Sequence, residues 1–212
     1  MLMRAAGFSL VELLVAMVAG LLVLAGALSL FTSVLAAGST NLVLSRLNLE
    51  VQAVADVIAR DLQKAGYHPN AVTEMALKSP QSTDPAEHYI FAAADDIYSA
   101  SNLHCIRVKF WDATAPLGKE PKVHLYGYSR RSQKVTLYTK LSANSSDPLK
   151  DHCGRGAQLI SSAEVHVKQL LFTPIMYADA TSIKMTITAA HAQQPQFPIT
   201  ITRYVHLRNG GR

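Results

Sequence analysis

Apolar residues crowd the first part of the chain and then change their spacing. Between Leu13 and Phe31 nearly every side chain is apolar, and no charged residue occurs after Glu12 until Arg46. The run supplies the roughly 20 apolar residues with which a helix crosses a bilayer. Because it is apolar on all sides, it predicts a helix that lies in lipid or inside a packed assembly.

Beyond Thr40 the apolar positions take the period of an amphipathic helix. They recur at spacings of four, three, four and four residues, at Leu47, Val51, Val54, Ile58 and Leu62. A stripe of this kind predicts a helix that packs its apolar face on a following domain. We expect helix over residues 8–65, with a kink or local melt at residues 36–40 and an end at Gly66 and Pro69.

After an expected loop over residues 70–87, the period of the apolar positions falls to two. Alternation occurs around residues 106–110, 135–138, 183–188 and 199–207, which predicts strands. Arg107 and Lys109 fall between the apolar positions of the first of these strands. Residues 126–141 are expected to form a hairpin that turns at residues 130–133. The pattern therefore predicts an α+β fold, in which a long N-terminal helix packs on a C-terminal antiparallel β-sheet head.

Glu12 is a carboxylate near the start of the apolar run, where an uncompensated charge is unfavourable. A charged side chain at mid-bilayer costs about 2.5–3.5 kcal/mol even on the most permissive scales. An ordinary secretory signal, cut near residues 35–37, would have a shorter apolar core of about 7–15 residues. A plain membrane anchor fits the length of the run. Neither interpretation accounts for Glu12.

The residues Gly7-Phe8-Ser9-Leu10-Val11-Glu12 resemble the processing site of type IV prepilins and type II secretion pseudopilins. The resemblance rests on a short leader containing Arg4, on a glycine followed by phenylalanine, and on a glutamate four residues further on. It implies that a prepilin peptidase cuts between Gly7 and Phe8 on the cytoplasmic side of the membrane. The new amine of Phe8 would then be methylated.

The resemblance also gives Glu12 a role in assembly. In a packed filament, the carboxylate at this position of the family faces the new amine of the neighbouring subunit and neutralises it. Phe8 and Glu12 lie about one helical turn apart, about 6 Å along the axis. Pairing of Glu12 with the chain's own amine is therefore an alternative, as is a favourable interaction with the N-terminus of its own helix.

Three segments follow from the resemblance: a leader of residues 1–7, a long helix of residues 8–65, and a periplasmic β-rich head of residues 66–212. The first half of the helix, residues 8–36, is the expected transmembrane and filament-core part. At the helix exit, residues 59–67 are similar to those of PilW-like minor pilins, and within the head residues 165–172 and 203–209 fit the same layout. That family often places one cysteine at the start of a strand and another in a later loop, which implies a disulfide between Cys105 and Cys153.

The histidines and acidic residues have no spacing typical of a metal site. No His-x-x-x-His or Glu-x-x-His pair occurs at the spacing that ligands take on a helix. Three histidines are expected to face solvent from the polar phase of predicted strands: His124, His166 and His206. His104 and His152 each precede a cysteine, where metal binding is a minor option, and Asp95-Asp96 lacks the pattern of a calcium loop. No nucleophile elbow or phosphate-binding loop occurs either, so we expect a non-catalytic protein without cofactor or metal.

The chain is mildly basic, with a formal net charge of +5. Its basic residues are scattered rather than gathered into the stripe that is typical of nucleic-acid-binding proteins. Arg130, Arg131 and Lys134 form a small basic tip at the predicted hairpin turn. A solvated turn is the simpler interpretation of this tip, and contact with DNA is the alternative.

The resemblance implies a minor pilin that helps to initiate or prime assembly of a type IV pilus or lies at its tip. The expected partners are other minor pilins, the major pilin, prepilin peptidase and the inner-membrane assembly platform. We expect a single pass through the bacterial inner membrane, with a periplasmic head, before the protein enters the pilus. Two alternatives remain open: a minor pseudopilin of a type II secretion system, and a tip subunit that binds DNA or a surface.

Overall fold

One long helix is followed by two antiparallel sheets in the computed structural model, which describes residues 9–69, 89–141, 148–161, 163–177 and 180–207. The predicted α+β class is therefore confirmed. The chain divides into two units, Met1–Ser45 and Arg46–Arg212. Each is described by itself below.

The helix α1 runs without interruption over Leu10–Lys64. The predicted start at Phe8 lies outside the described residues. The expected melt at residues 36–40 is wrong, because the helix continues through them. The hydroxyls of Ser39 and Thr40 donate to the carbonyl of Ala36, over 2.9 and 3.1 Å. Gly38 costs a helix only about 1 kcal/mol relative to alanine, which a long hydrogen-bonded ladder tolerates.

In the second unit, α1 buries the predicted apolar stripe. All five of its members are buried, namely Leu47, Val51, Val54, Ile58 and Leu62. Gly66 then adopts a φ of 77°, the left-handed conformation with which a glycine commonly ends a helix. The chain leaving α1 pairs with the sheet, since Gly66 N donates to Lys109 O over 3.0 Å and Trp111 N donates to Tyr67 O over 2.8 Å.

The first sheet has five strands in the order β1-β2-β3-β4-β5, all antiparallel. The short helix α2, Ala93–Asp96, leads into it, and α3, Leu149–His152, precedes its last strand. The strands are β1 Ile97–Ser99, β2 Leu103–Trp111, β3 Pro121–Ser129, β4 Lys134–Tyr138 and β5 Ala157–Gln158. The hairpin predicted to turn at residues 130–133 is confirmed between β3 and β4.

The second sheet has three antiparallel strands, β6 Val165–Tyr177, β7 Ala180–His191 and β8 Gln194–His206. The predicted alternation holds in β7, where Ile183, Met185 and Ile187 are buried. A bulge interrupts β6 between Val167 and Gln169. There the hydroxyl of Tyr128 in β3 donates to the carbonyls of Val167 and Lys168, over 3.0 and 2.7 Å. The bulge thus turns two carbonyl groups of one sheet towards the other.

A disulfide links the turn after α3 to the first sheet. It joins Cys105 in β2 to Cys153, with the two Cα atoms 5.8 Å apart, within the range that disulfides use. Gly127 lies opposite Cys105 in β3, and a Cβ there would lie 2.6 Å from the backbone nitrogen of Gly154. Only a residue without a side chain allows this approach of two backbone segments.

Replacing Gly127 by alanine should lower the free energy of unfolding by about 1–3 kcal/mol, because the added Cβ meets backbone that has little freedom to move. Gly118→Ala is the matched control. Its Cβ would meet nothing within 4 Å, and only its φ of 81° is strained, so about 1 kcal/mol should be lost. The measurement is chemical denaturation of the full chain in detergent micelles, followed by the fluorescence of Trp111. A loss at Gly127 no larger than that at Gly118 would contradict the close approach.

Candidate functional site

The first unit presents an uncovered apolar surface. Every described residue from 9 to 39 is exposed, including large side chains such as Leu10, Leu22 and Phe31. By length and composition, α1 is apolar enough to cross a membrane. An isolated helix with this surface in water would be unfavourable by about 25 cal/mol for each Å² of apolar area. The surface is therefore suited to contact with lipid or with other apolar helices.

Glu12 lies in the first turn of α1, among these exposed apolar residues. The amide of Leu13 donates to the carbonyl of Ser9 over 3.1 Å, so the helical hydrogen bonds begin at this turn. A carboxylate in the first turn interacts favourably with the unpaired amides there. The predicted cleavage residues, Gly7 and Phe8, lie outside the described residues. The structure thus places Glu12 at the start of the apolar helix and does not describe its expected partner.

In the second unit, a cluster of polar side chains ties the last turns of α1 to the first sheet. Asp61 is its centre and is almost fully buried. One of its oxygens, Oδ2, lies 2.6 Å from Nδ1 of His124 and accepts a 2.6 Å hydrogen bond from the hydroxyl of Tyr126. The other oxygen, Oδ1, accepts from Nζ of Lys64 over 3.0 Å. One carboxylate therefore joins two turns of the helix to strand β3.

These hydrogen bonds determine the acidity of the cluster. Burial alone would raise the pKa of Asp61, but the bonds from His124, Tyr126 and Lys64 outweigh burial and lower that pKa from 3.8 to about 2. Burial and the bond to Asp61 both raise the pKa of Tyr126. At neutral pH the cluster therefore contains an ionised carboxylate and a neutral phenol that donates to it.

A second buried ionic cluster fixes α2 against β2. Asp96 is fully buried, and its Oδ1 lies 2.7 Å from Nε of Arg107 and 3.3 Å from Nζ of Lys109. Its other oxygen accepts from the amide of Ala92 over 2.9 Å. Burial lowers the pKa of Lys109, although Asp96 opposes this change. Removing Asp96 would leave two buried cations unpaired, so the cluster is a structural requirement of this region.

The expectation that His124 faces solvent is wrong, because its ring is partly buried against Asp61 and lies edge-on to Phe110. Strand β3 is covered on both faces at this point, so the side chains at its polar positions do not face water. His206 is exposed as expected and contacts Ser182, whereas His166 is half-buried. Asp95-Asp96, considered above only for calcium, instead contributes the carboxylate of the second cluster.

The histidines next to the cysteines do not share a site in the described contacts. His104 contacts the hydroxyl of Ser99, and His152 stacks on Tyr138 with ring centroids 5.2 Å apart. Burial and then Arg130 lower the pKa of His104. Among the described residues there is no group of three or more histidine, cysteine or acidic side chains placed to hold a metal ion. The basic tip is exposed at Arg130, Arg131 and Lys134.

The sequence pattern contained a signal for Asp61 that the prediction did not use. Asp61 follows Leu47 and Val54 at intervals of seven residues, so it lies on the apolar face of α1. A carboxylate on such a face must find partners in the folded protein. Asp96 gave no comparable signal. Its partners in β2, Arg107 and Lys109, alternate with apolar residues, and this is the pattern of side chains that face solvent.

Two family models match the chain. The model described as prepilin peptidase-dependent protein B matches residues 40–207. The model described as the prokaryotic N-terminal methylation motif matches residues 2–28. Neither a curated protein nor a solved structure matches it. The two matched segments together include Glu12, Asp61 and both cysteines.

The free energy of unfolding should depend on pH through Asp61. Its pKa is about 2 in the folded chain and 3.8 without the fold, so the ionised carboxylate stabilises the fold at pH above about 4. This contribution, about 2 kcal/mol, should disappear as the pH falls towards 2. Asp61→Asn should remove it, so the difference between the two proteins should shrink between pH 5 and pH 2.

The measurement is chemical denaturation of the full chain in micelles at several pH values. Asp56→Asn is the matched control, because Asp56 lies on the same helix but is 51% exposed and pairs with Arg203 at 3.4 Å. Such exposed pairs contribute about 0–1 kcal/mol, so this change should have little effect at any pH. An Asp61→Asn protein with the pH profile of the unchanged chain would exclude the predicted role of Asp61.

Proposed function

The chain belongs to the prepilin peptidase-dependent protein B family, and on this basis we propose that it is a minor pilin of a type IV pilus. It is a prepilin-like protein of the group that contains minor pilins and pseudopilins, which are structural proteins. The observation that carries the proposal is the uncovered apolar surface of α1, with one carboxylate in its first turn. A helix of this kind offers a contact for assembly in lipid and in a filament.

The proposal assigns a role to each part of the chain. Residues 1–7 are a leader, and prepilin peptidase cuts it off before Phe8, whose amine is then methylated. Residues 8–36 span the inner membrane and later enter the filament core, and the rest of the helix, to residue 65, packs on the head. Residues 66–212 form a periplasmic head, in which the disulfide between Cys105 and Cys153 stabilises the fold. The partners are other minor pilins, the major pilin and the inner-membrane assembly platform.

Electrostatics support a pairing role for Glu12. An unpaired charge at mid-bilayer costs about 2.5–3.5 kcal/mol. Two opposite charges 4 Å apart attract each other by about 4 kcal/mol at an effective dielectric constant of 20. A bond from Glu12 to the amine of a neighbouring Phe8 would therefore offset the cost of the charge and fix the axial register of the entering subunit.

Two features favour a minor, PilW-like subunit that primes assembly or lies at the tip. α1 contains no proline over Leu10–Lys64, whereas major pilins usually have one midway along the anchor. The head is also larger than that of many major pilins. A minor pseudopilin of a type II secretion system shares the leader and the sheet, and the two functions differ in whether deletion of the gene abolishes pili or protein secretion.

Mass spectrometry of the protein from the membrane of a cell with prepilin peptidase should find a chain that begins at methylated Phe8. In a cell without the peptidase, the leader should remain attached. The physical reason is that residues 1–7 are short and contain Arg4, which suits cytoplasmic cleavage and not the ordinary secretory route. A mature protein that begins near Ala37 would overturn the proposal.

Replacing Glu12 by glutamine should leave insertion and cleavage intact but reduce incorporation into pili at least severalfold, because the amine of the neighbour loses its partner. Glu50→Gln is the control, since Glu50 lies on the same helix but pairs with Arg46 at 3.3 Å and should not affect assembly. Incorporation is measured by quantitative immunoblotting of sheared pili from complemented deletion strains. Normal incorporation of Glu12→Gln would limit Glu12 to a local role at the helix end. Unchanged pili with lost protein secretion in the deletion strain would favour the pseudopilin function.

A further inference from the structure

An open cavity of about 550 Å³ lies in the second unit, beside the end of α1. Its volume falls within the roughly 300–1,000 Å³ of ligand-binding clefts. The lining residues come from the helix exit, the end of β2 and the adjoining part of β3, and they include Gln63, Tyr67, Trp111, Asp112, Lys122 and His124. We propose that this cavity binds a neutral oligosaccharide. The proposal does not rest on the assembly function, because it concerns the folded head.

Two aromatic residues, Tyr67 and Trp111, line the cavity, and the ring of Trp111 is held in place by other rings. Tyr67 is 44% exposed, and its carbonyl accepts the amide hydrogen bond of Trp111 over 2.8 Å. Trp111 also lies edge-on to the rings of His68 and Tyr89, with centroids 5.1 and 6.4 Å away. A ring fixed in the way that Trp111 is fixed suits the apolar C–H face of a sugar, because little side-chain freedom is lost on binding. The exposed ring of Tyr67 offers a second apolar face.

Asp112 provides a fixed acceptor next to these rings. Its Oδ1 accepts two hydrogen bonds from Thr114, one from the amide over 3.1 Å and one from the hydroxyl over 2.6 Å. These bonds lower the pKa of Asp112, so the side chain is a carboxylate at neutral pH. Its Oδ2 makes no hydrogen bond to the described residues, and it can accept from a sugar hydroxyl. Lys122 and Gln63 add donors to the same wall.

The charges of the cavity favour a neutral ligand over a nucleic acid. Lys64 is paired with Asp61 at 3.0 Å, and its Nζ also lies 5.2 Å from the centre of the Phe110 ring. Lys122 interacts electrostatically with Asp112. A phosphate backbone binds mainly to cations that are free to replace its counterions, whereas here each lining lysine already has a carboxylate nearby. Donors and acceptors side by side, next to aromatic rings, are the groups that sugar hydroxyls and ring faces require.

The test uses Trp111, the one tryptophan of the chain, as a reporter in the cavity. The full chain, purified in a zwitterionic detergent without a sugar headgroup, is titrated with maltotetraose, cellotetraose and chitotetraose. A thymidine dodecanucleotide is titrated in parallel. We expect a saturable change in Trp111 emission, and saturation-transfer signals in NMR, with at least one of the sugars and none with the oligonucleotide.

Two substitutions locate the binding. Tyr67→Ala and Asp112→Asn should each weaken binding of the sugar at least tenfold, because they remove a ring face and the charge of the acceptor. Phe197→Ala is the control, since Phe197 is 47% exposed, much like Tyr67, but lies in β8 outside the cavity; it should leave the affinity unchanged. The proposal is overturned if none of the three sugars binds by either measurement, if the oligonucleotide binds instead, or if both cavity variants bind as the unchanged chain does.

Discussion

The burial of one carboxylate, Asp61, constrains how the last turns of α1 fit the first sheet. An ionised group taken out of water costs several kcal/mol unless it is paired and hydrogen-bonded. Asp61 meets this demand with a donor from its own helix and two side chains of β3. The last turns of α1 therefore fit the sheet at one rotation about the helix axis and at one position along it. Apolar packing of Leu47 to Leu62 alone would tolerate small slips along the helix axis.

The position of the helix end follows from this contact. With Asp61 fixed, Gly66 is where the chain turns, and Tyr67 pairs with the backbone of β2. That pairing brings Tyr67 next to Trp111, and both residues line the cavity. Lys64 and His124, which bind Asp61, also line the cavity. The shape of the cavity is thus a consequence of how the buried carboxylate is satisfied.

Periodicity predicted most of the fold, and it failed where both sides of a strand are covered. The stripe of α1 and the buried positions of β7 carry a regular apolar period, and the hairpin turn is a polar interruption between two strands, so the sequence was sufficient to predict all three. Arg107, Lys109 and His124 occupy the phase that a half-exposed strand turns to solvent. In the structure, residues at these positions are covered by partners that are distant in the chain. Asp61, for example, precedes its partner His124 by 63 residues. No local pattern encodes such a partner. For the same reason, no sequence pattern indicated the cavity, whose walls come from three separate segments.

The proposed roles in assembly and in ligand binding would use different physical chemistry, which makes them separable. In the first unit, a uniform apolar surface with one charge suits association in lipid, where a polar group is costly and a single ion pair would set the register. In the second unit, the cavity combines rings, donors and acceptors in contact with water, where specificity comes from several weak contacts. A substitution at Tyr67 or Asp112 therefore acts on binding without changing the apolar helix. His124 differs from these residues, because its ring binds Asp61 and also lines the cavity, so any change at that position alters stability and binding together.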